Sequence, residues 1–172
     1  MRRINILKDT TLLHLPLEYL QKTEFLFVGN ANAKNTKYLE LLELLEENFS
    51  NTHLLPSMEH KELLSLMNEV DCVLAPSRED ATNSCIIEGL SLSKICICSD
   101  KVGAFYYLKD SVSAFIFPMT NIEKLTSIMI YIVDHIDDMK NIRDDGYAIY
   151  EKVFSLNTFE DNVKRCLIKS EY

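Results

Sequence analysis

The chain has 172 residues, 47% of them hydrophobic, enough for one domain with a sizeable core and short for two. Its 18 Lys and Arg against 26 Asp and Glu give a net charge of -8. That balance excludes the broad basic surface nucleic-acid binding needs, confines any membrane attachment to a local patch, and leaves an anionic ligand to helix N-termini and one or two placed cations.

The first 23 residues carry the weakest pattern. Ile4-Asn5-Ile6-Leu7 suits a short strand, and 16–22 a short helix with Pro16 near its start. No signal-peptide core follows Met1-Arg2-Arg3, and no apolar stretch approaches the roughly 20 residues of a membrane span, so a cytoplasmic chain is expected. Phe25-Leu26-Phe27-Val28-Gly29 is a continuous apolar run ended by Gly29-Asn30, the pattern of a strand buried on both faces. Residues 36–49 alternate leucines with Glu40, Glu43, Glu46 and Glu47 at a helical period, which reads as a helix with a solvated acidic face.

Residues 52–55 form a short strand stopped by Pro56, and 59–70 a helix with Leu63, Leu64, Leu66 and Met67 inward. Cys72-Val73-Leu74-Ala75 is a buried strand ended by Pro76. A polar turn follows, and Thr82, Asn83 and Ser84 are all good N-cap types for the helix that contains Ile86, Ile87, Leu90 and Leu92. Residues 95–98 give another buried strand, Gly103 opens a short helical stretch through Leu108, and 114–117 is a last strand stopped by Pro118. From Asn121 the pattern is helical to about Ser170. Strands alternating with helices across short polar turns predict an α/β fold: a Rossmann-like doubly wound parallel sheet, helices on both faces, and a helical C-terminal tail, in one domain over 1–172.

The five cysteines, at 72, 85, 96, 98 and 166, are an odd number without a CxxC pair, and three lie in strand-like runs. A reducing setting with no structural disulfide or metal is expected. His53 and His60 have no acids at ligand spacing and read as surface residues. Ser77 lacks a His-Asp partner pattern and reads as a turn hydroxyl.

The stretch from Pro76 to Gly89 places Asp80 and Glu88 on either side of a turn between strand and helix, where ligands bind in α/β sheets. Val73-Leu74-Ala75-Pro76-Ser77-Arg78-Glu79-Asp80 followed by Ile86-Ile87-Glu88-Gly89-Leu90 resembles the donor-site signature of retaining glycosyltransferases of the GT-B fold, an acid and a glutamate separated by seven residues. Glu62-Leu63-Leu64 with Asp71, the loop Asp100 to Gly103, and Phe154-Ser155 resemble further blocks of that family in the same order, over about residues 24–165.

The resemblance implies a nucleotide diphosphate sugar as donor substrate, with no metal or other cofactor. It implies Glu88 on the nucleotide ribose and Asp80 on the sugar hydroxyls, with the amides of Asn83, Ser84 and Cys85 on the diphosphate and Thr82 beside them. Read from the residues alone, Glu88 is equally a solvated helix residue and Asp80 a residue that caps the turn. Arg78 either meets phosphate or pairs with Glu79, and Gly29 and Gly103 either let the backbone approach the donor or are plain turns.

The chain departs from the family in having no Gly-Arg or Lys-Gly pattern in 1–23, and Ala81-Thr82-Asn83-Ser84 where many members have glycine-rich turns. Only the donor half of a GT-B enzyme fits in its length. The expected activity is therefore hexose transfer to a glycan or lipid-linked acceptor, with the isolated domain inactive. The expected partner is the missing N-terminal domain or a partner chain, through which any peripheral membrane contact would come. The alternative is a degenerate, non-catalytic domain that partners a full glycosyltransferase.

Overall fold

The computed structural model describes residues 2–6, 22–29, 40, 43, 44 and 46–169, with side chains from 22 to 167. The expected helix at 16–22 and Asn30 lie outside the described residues, apart from Lys22, which is in a turn.

Six strands form one parallel sheet: β1 Arg2–Ile6, β2 Thr23–Val28, β3 Thr52–Leu55, β4 Cys72–Ala75, β5 Ile95–Ser99 and β6 Phe115–Phe117. Their spatial order is β3-β2-β1-β4-β5-β6. The chain builds outward from β1 to one edge, then returns to lay β4 against the other side of β1. Ile4 pairs with Phe25 on one side and with Cys72 on the other. The order thus reverses between β1 and β4, the kind of switch point beside which ligands bind at the carboxyl ends of the strands in open α/β sheets.

The continuous apolar runs form strands covered on both faces. Every residue of β4, β5 and β6 is buried, whereas edge strand β3 is mostly half-buried. Alternate residues enter two separate layers. On one face Phe25, Phe27, Leu74, Ile97 and Phe117 meet Leu125, Ile128, Met129 and Ile132 of helix α3 (Ile122–His135). On the other, Leu26, Val73, Ala75, Cys96 and Cys98 meet Met67 of α1 (His60–Glu69) and Cys85, Ile86 and Leu90 of α2 (Ser84–Ser91). The sheet is therefore doubly wound, as the pattern predicts.

The tail comprises α4 (Lys140–Ile149), a π-helical turn Tyr150–Phe154 and α5 (Leu156–Lys169). Tyr150 and Phe154 pack against the second layer, which anchors the tail to the α2 side. No helix among the described residues is long and apolar enough to cross a membrane.

Residues 40, 43, 44 and 46–48 are helical, as the leucine and glutamate pattern predicts, but Leu44 is exposed. Glu46 is not merely solvated: its Oε1 accepts from the Leu54 amide at 3.1 Å and so covers a donor on edge strand β3.

Candidate functional site

Everything between β4 and α2 is shaped by two side chains. Asp80 folds its carboxylate back into the turn: Oδ1 accepts from the amides of Thr82 at 3.2 Å and Asn83 at 2.8 Å, and Oδ2 accepts from Asn83 Nδ2 at 3.0 Å. Of the three candidate caps it is Asn83 that caps α2, its Oδ1 accepting from the Ile86 amide at 3.1 Å. It does so in the left-handed region, at φ 55° and ψ 82°, which asparagine tolerates better than most residues. Its Nδ2 also donates to Ser77 Oγ at 3.2 Å, which ties the start of the turn to the start of the helix and gives Ser77 the turn role expected of it.

This geometry decides which amides of the first turn are already used within it. The Asn83 amide is spent on Asp80, whereas those of Ser84 and Cys85, the first two residues of α2, precede the first intrahelical acceptor. They lie at the positive end of the helix dipole. Arg78 and Thr82 are exposed on the same turn, and Arg78 makes no ion pair among the described residues, with Glu79 or otherwise.

A second loop braces the first. The Asp80 amide donates to the Lys101 carbonyl at 3.2 Å, and the Gly103 amide to the Asp80 carbonyl at 2.8 Å, so the loops after β4 and β5 are zipped together. At Gly103 a Cβ would sit 1.8 Å from the Ala81 carbonyl oxygen. Glycine there admits the neighbouring loop. Gly29, with φ 137°, stands at the carboxyl end of β2. It is two strands from β4, on the order of 10 Å across the sheet, and outside the cluster.

Glu88 lies one turn into α2 with its side chain 20% exposed. Its Oε1 is 3.0 Å from His60 Nε2 at the start of α1. His60 is exposed, as its reading as a surface residue expects, and it also meets Glu88; no local signal joins two residues 28 apart. His53 pairs instead with Glu24 on β2, its Nε2 3.2 Å from Oε1. Burial, then the charges of Glu88 and of Asp80, push the buried Cys85 thiol well above its usual value, so both carboxylates bear on this first turn of α2. Among the described residues no group of three or more His, Cys, Asp or Glu is arranged to hold a metal ion.

A cavity of about 520 Å³ opens elsewhere, between α3 and α4 at the amino end of β6, and shares no residue with this cluster. The cluster, not that cavity, has the chemistry for a phosphorylated ligand: first-turn amides without an intrahelical acceptor, a guanidinium with no ion pair among the described residues, and a largely covered carboxylate one helical turn away.

Comparison with known proteins agrees with the fold and its position. The profile of the family described as Glycosyl transferases group 1 matches residues 9–148. No match was found among curated proteins. Anabaena Alr3699/HepE, solved in complex with UDP and glucose, superposes with a TM-score of 0.78 at 15% identity, over 97% of this chain and 48% of that one. Sucrose-phosphate synthase from Thermosynechococcus elongatus superposes with a TM-score of 0.75 at 13% identity, over 98% of this chain and 46% of that one. The C-terminal domain of a glycosyl transferase group 1 family protein (LpcC) from Francisella tularensis gives a TM-score of 0.73 at 11% identity, over 90% of this chain and 87% of that domain. The chain spans about half the length of the first two solved structures.

Proposed function

The chain belongs to the glycosyl transferases group 1 family, and on that premise we propose that it is the donor-binding half of a retaining hexosyltransferase. The observation that carries this reading is the α2 entrance. Asn83 caps the helix, the Ser84 and Cys85 amides at its first turn have no intrahelical acceptor, and Glu88 lies one turn further along. A nucleotide diphosphate fits that spacing: diphosphate oxygens on the two amides and Arg78, ribose hydroxyls on Glu88. The reading needs no metal, because amides and guanidinium supply the neutralisation.

Asp80 has a turn-building part besides the one the resemblance implies. Three donors occupy its carboxylate, so it chiefly builds the turn and keeps one acceptor position on Oδ2 for a sugar hydroxyl.

Transfer would break the bond between the anomeric carbon and the diphosphate oxygen, which leaves with the electron pair. An acceptor hydroxyl, on a glycan or lipid-linked molecule, would bond to that carbon with retention and pass its proton to the departing diphosphate. Both substrates must be held in one cleft for such a step, so the other half of the enzyme is required. Helix α5 offers a surface for it: Leu156, Phe159, Val163 and Leu167 recur at helical spacing and all are exposed.

Calorimetry with UDP, GDP, UDP-glucose and GDP-mannose tests the reading. Binding of at least one nucleotide is expected, weakened about tenfold or more in Glu88→Ala, whereas no binding by a folded chain rejects it. The inward turn of the Asp80 carboxylate favours a second reading, a non-catalytic partner of a full transferase. Nucleotide binding without sugar transfer, once the acceptor half is supplied, would select it.

A further inference from the structure

We propose that His60 is a positioning residue that holds the Glu88 carboxylate ready for the ribose of the nucleotide, an inference that rests on the ribose reading of Glu88. An ionised carboxylate can only accept, so in the 3.0 Å contact His60 Nε2 carries the hydrogen whichever charge state the ring adopts. His60 is the one partner of that carboxylate among the described residues; the other bonds of Glu88 are made by its backbone carbonyl, to Ser91 Oγ and the Leu92 amide.

The backbone that carries His60 is firmly rooted. His60 is the first residue of α1, where Glu62 Oε2 accepts from the Glu59 amide at 3.2 Å and the Leu63 amide donates to the Glu59 carbonyl at 3.0 Å. A histidine in that position fixes Oε1 and leaves Oε2 for the vicinal hydroxyls of a ribose. A glutamate left to rotate would lose that freedom on capturing the ligand, and affinity would fall accordingly.

The same geometry makes the idea testable without unfolding the protein. His60 has 68% of its side chain exposed, so the pair adds little to stability and its loss should leave the fold intact. The alternative is a tie between α1 and α2 with no bearing on the ligand.

Wild type, His60→Ala, His60→Gln, Glu88→Ala and the His60→Ala/Glu88→Ala pair would be titrated with UDP and 2′-deoxy-UDP, with urea unfolding as the control for folding. His60→Ala should weaken UDP binding about threefold to tenfold at an unchanged unfolding midpoint. His60→Gln, which keeps an N–H near the place of Nε2, should restore most of the loss. The effect should vanish on the Glu88→Ala background and shrink with 2′-deoxy-UDP. Unchanged affinity in His60→Ala, with Glu88→Ala still impaired, overturns the positioning role and spares the ribose reading. An equal loss on the Glu88→Ala background assigns His60 to structure alone. Where wild type binds GDP and not UDP, the same variants are titrated with GDP and 2′-deoxy-GDP; if Glu88→Ala binds the nucleotide like wild type, or wild type binds neither, the ribose reading fails and this inference with it.

Discussion

Asn83 accepts through Oδ1 from the Ile86 amide and donates through Nδ2 to Ser77 and Asp80, all at a left-handed φ of 55°. Thr82 and Ser84 have hydroxyls that could cap, yet a hydroxyl has one proton to donate where Asn83 Nδ2 serves two acceptors, and a β-branched threonine is costly at positive φ. Replacing Asn83 with Asp keeps the shape, the cap acceptor and the tolerance of this φ. It removes both donors and sets a second carboxylate about 3.0 Å from Asp80 Oδ2. Asn83→Asp is therefore expected to lower stability by about 1–3 kcal/mol, read from urea midpoints at neutral pH. A stability within 0.5 kcal/mol of wild type, a threshold on the scale of neutral surface changes, would mean that the Nδ2 bonds do not hold the turn. The sequence at this scale shows which residue types could cap; the choice among three neighbours depends on the side chain Asp80 turns back towards them. The contact between His60 and Glu88 is hidden for a simpler reason, since it exists only once α1 and α2 lie side by side.

Elements were legible where both faces of a strand are covered. β2, β4 and β5 are continuous apolar runs because helices pack on either side, and their ends coincide with Gly29, Pro76 and Asp100 to within a residue. β1 is the contrary case: Arg2-Arg3-Ile4-Asn5-Ile6 mixes charged and apolar residues, yet it pairs with β2 and β4 at the middle of the sheet. Its place is fixed by backbone pairing, which leaves little mark on composition. Helix packing was equally silent in the sequence at Gly146. There α4 passes so close to its neighbours that a Cβ would lie 2.8 Å from the Ser113 carbonyl oxygen and 2.9 Å from Leu90 Cδ2. In an exposed helix, Gly→Ala stabilises by about 1 kcal/mol through propensity. At this crossing the sign should reverse, because the carbonyl cannot yield as a side chain can. Gly146→Ala is expected to cost about 1–3 kcal/mol in urea unfolding, with the loss reaching α2 through Leu90. A stabilised variant would show that the tail packs less closely on the sheet than these distances require.

Across the whole molecule, four of the five cysteines are buried in the two apolar layers, and only Cys166 on α5 is exposed. Burial is the largest influence on each buried thiol and raises all four, Cys98 up to about 12. The folded state thus keeps these protons after an unfolded chain, titrating near 9, has released them. Stability from this source is fully present below pH 9 and is lost as pH climbs toward 12, by about 1.4 kcal/mol per pH unit for each thiol still protonated only in the folded state. Tyrosines and lysines also titrate in that window, so the wild-type slope alone does not isolate the thiols. Comparison with Cys98→Ala does: the variant has a small cavity and a lower stability at pH 8, but its stability should fall less steeply between pH 9 and 10.5, by about 1.4 kcal/mol per unit. The same burial predicts that a thiol reagent at pH 8 labels Cys166 rapidly and the other four only after urea unfolds the chain. Equal slopes for the two proteins, or rapid labelling of more than one thiol, would show that the sheet opens to solvent between its layers. The α2 entrance would then lose the rigid base on which Asn83 and Glu88 stand.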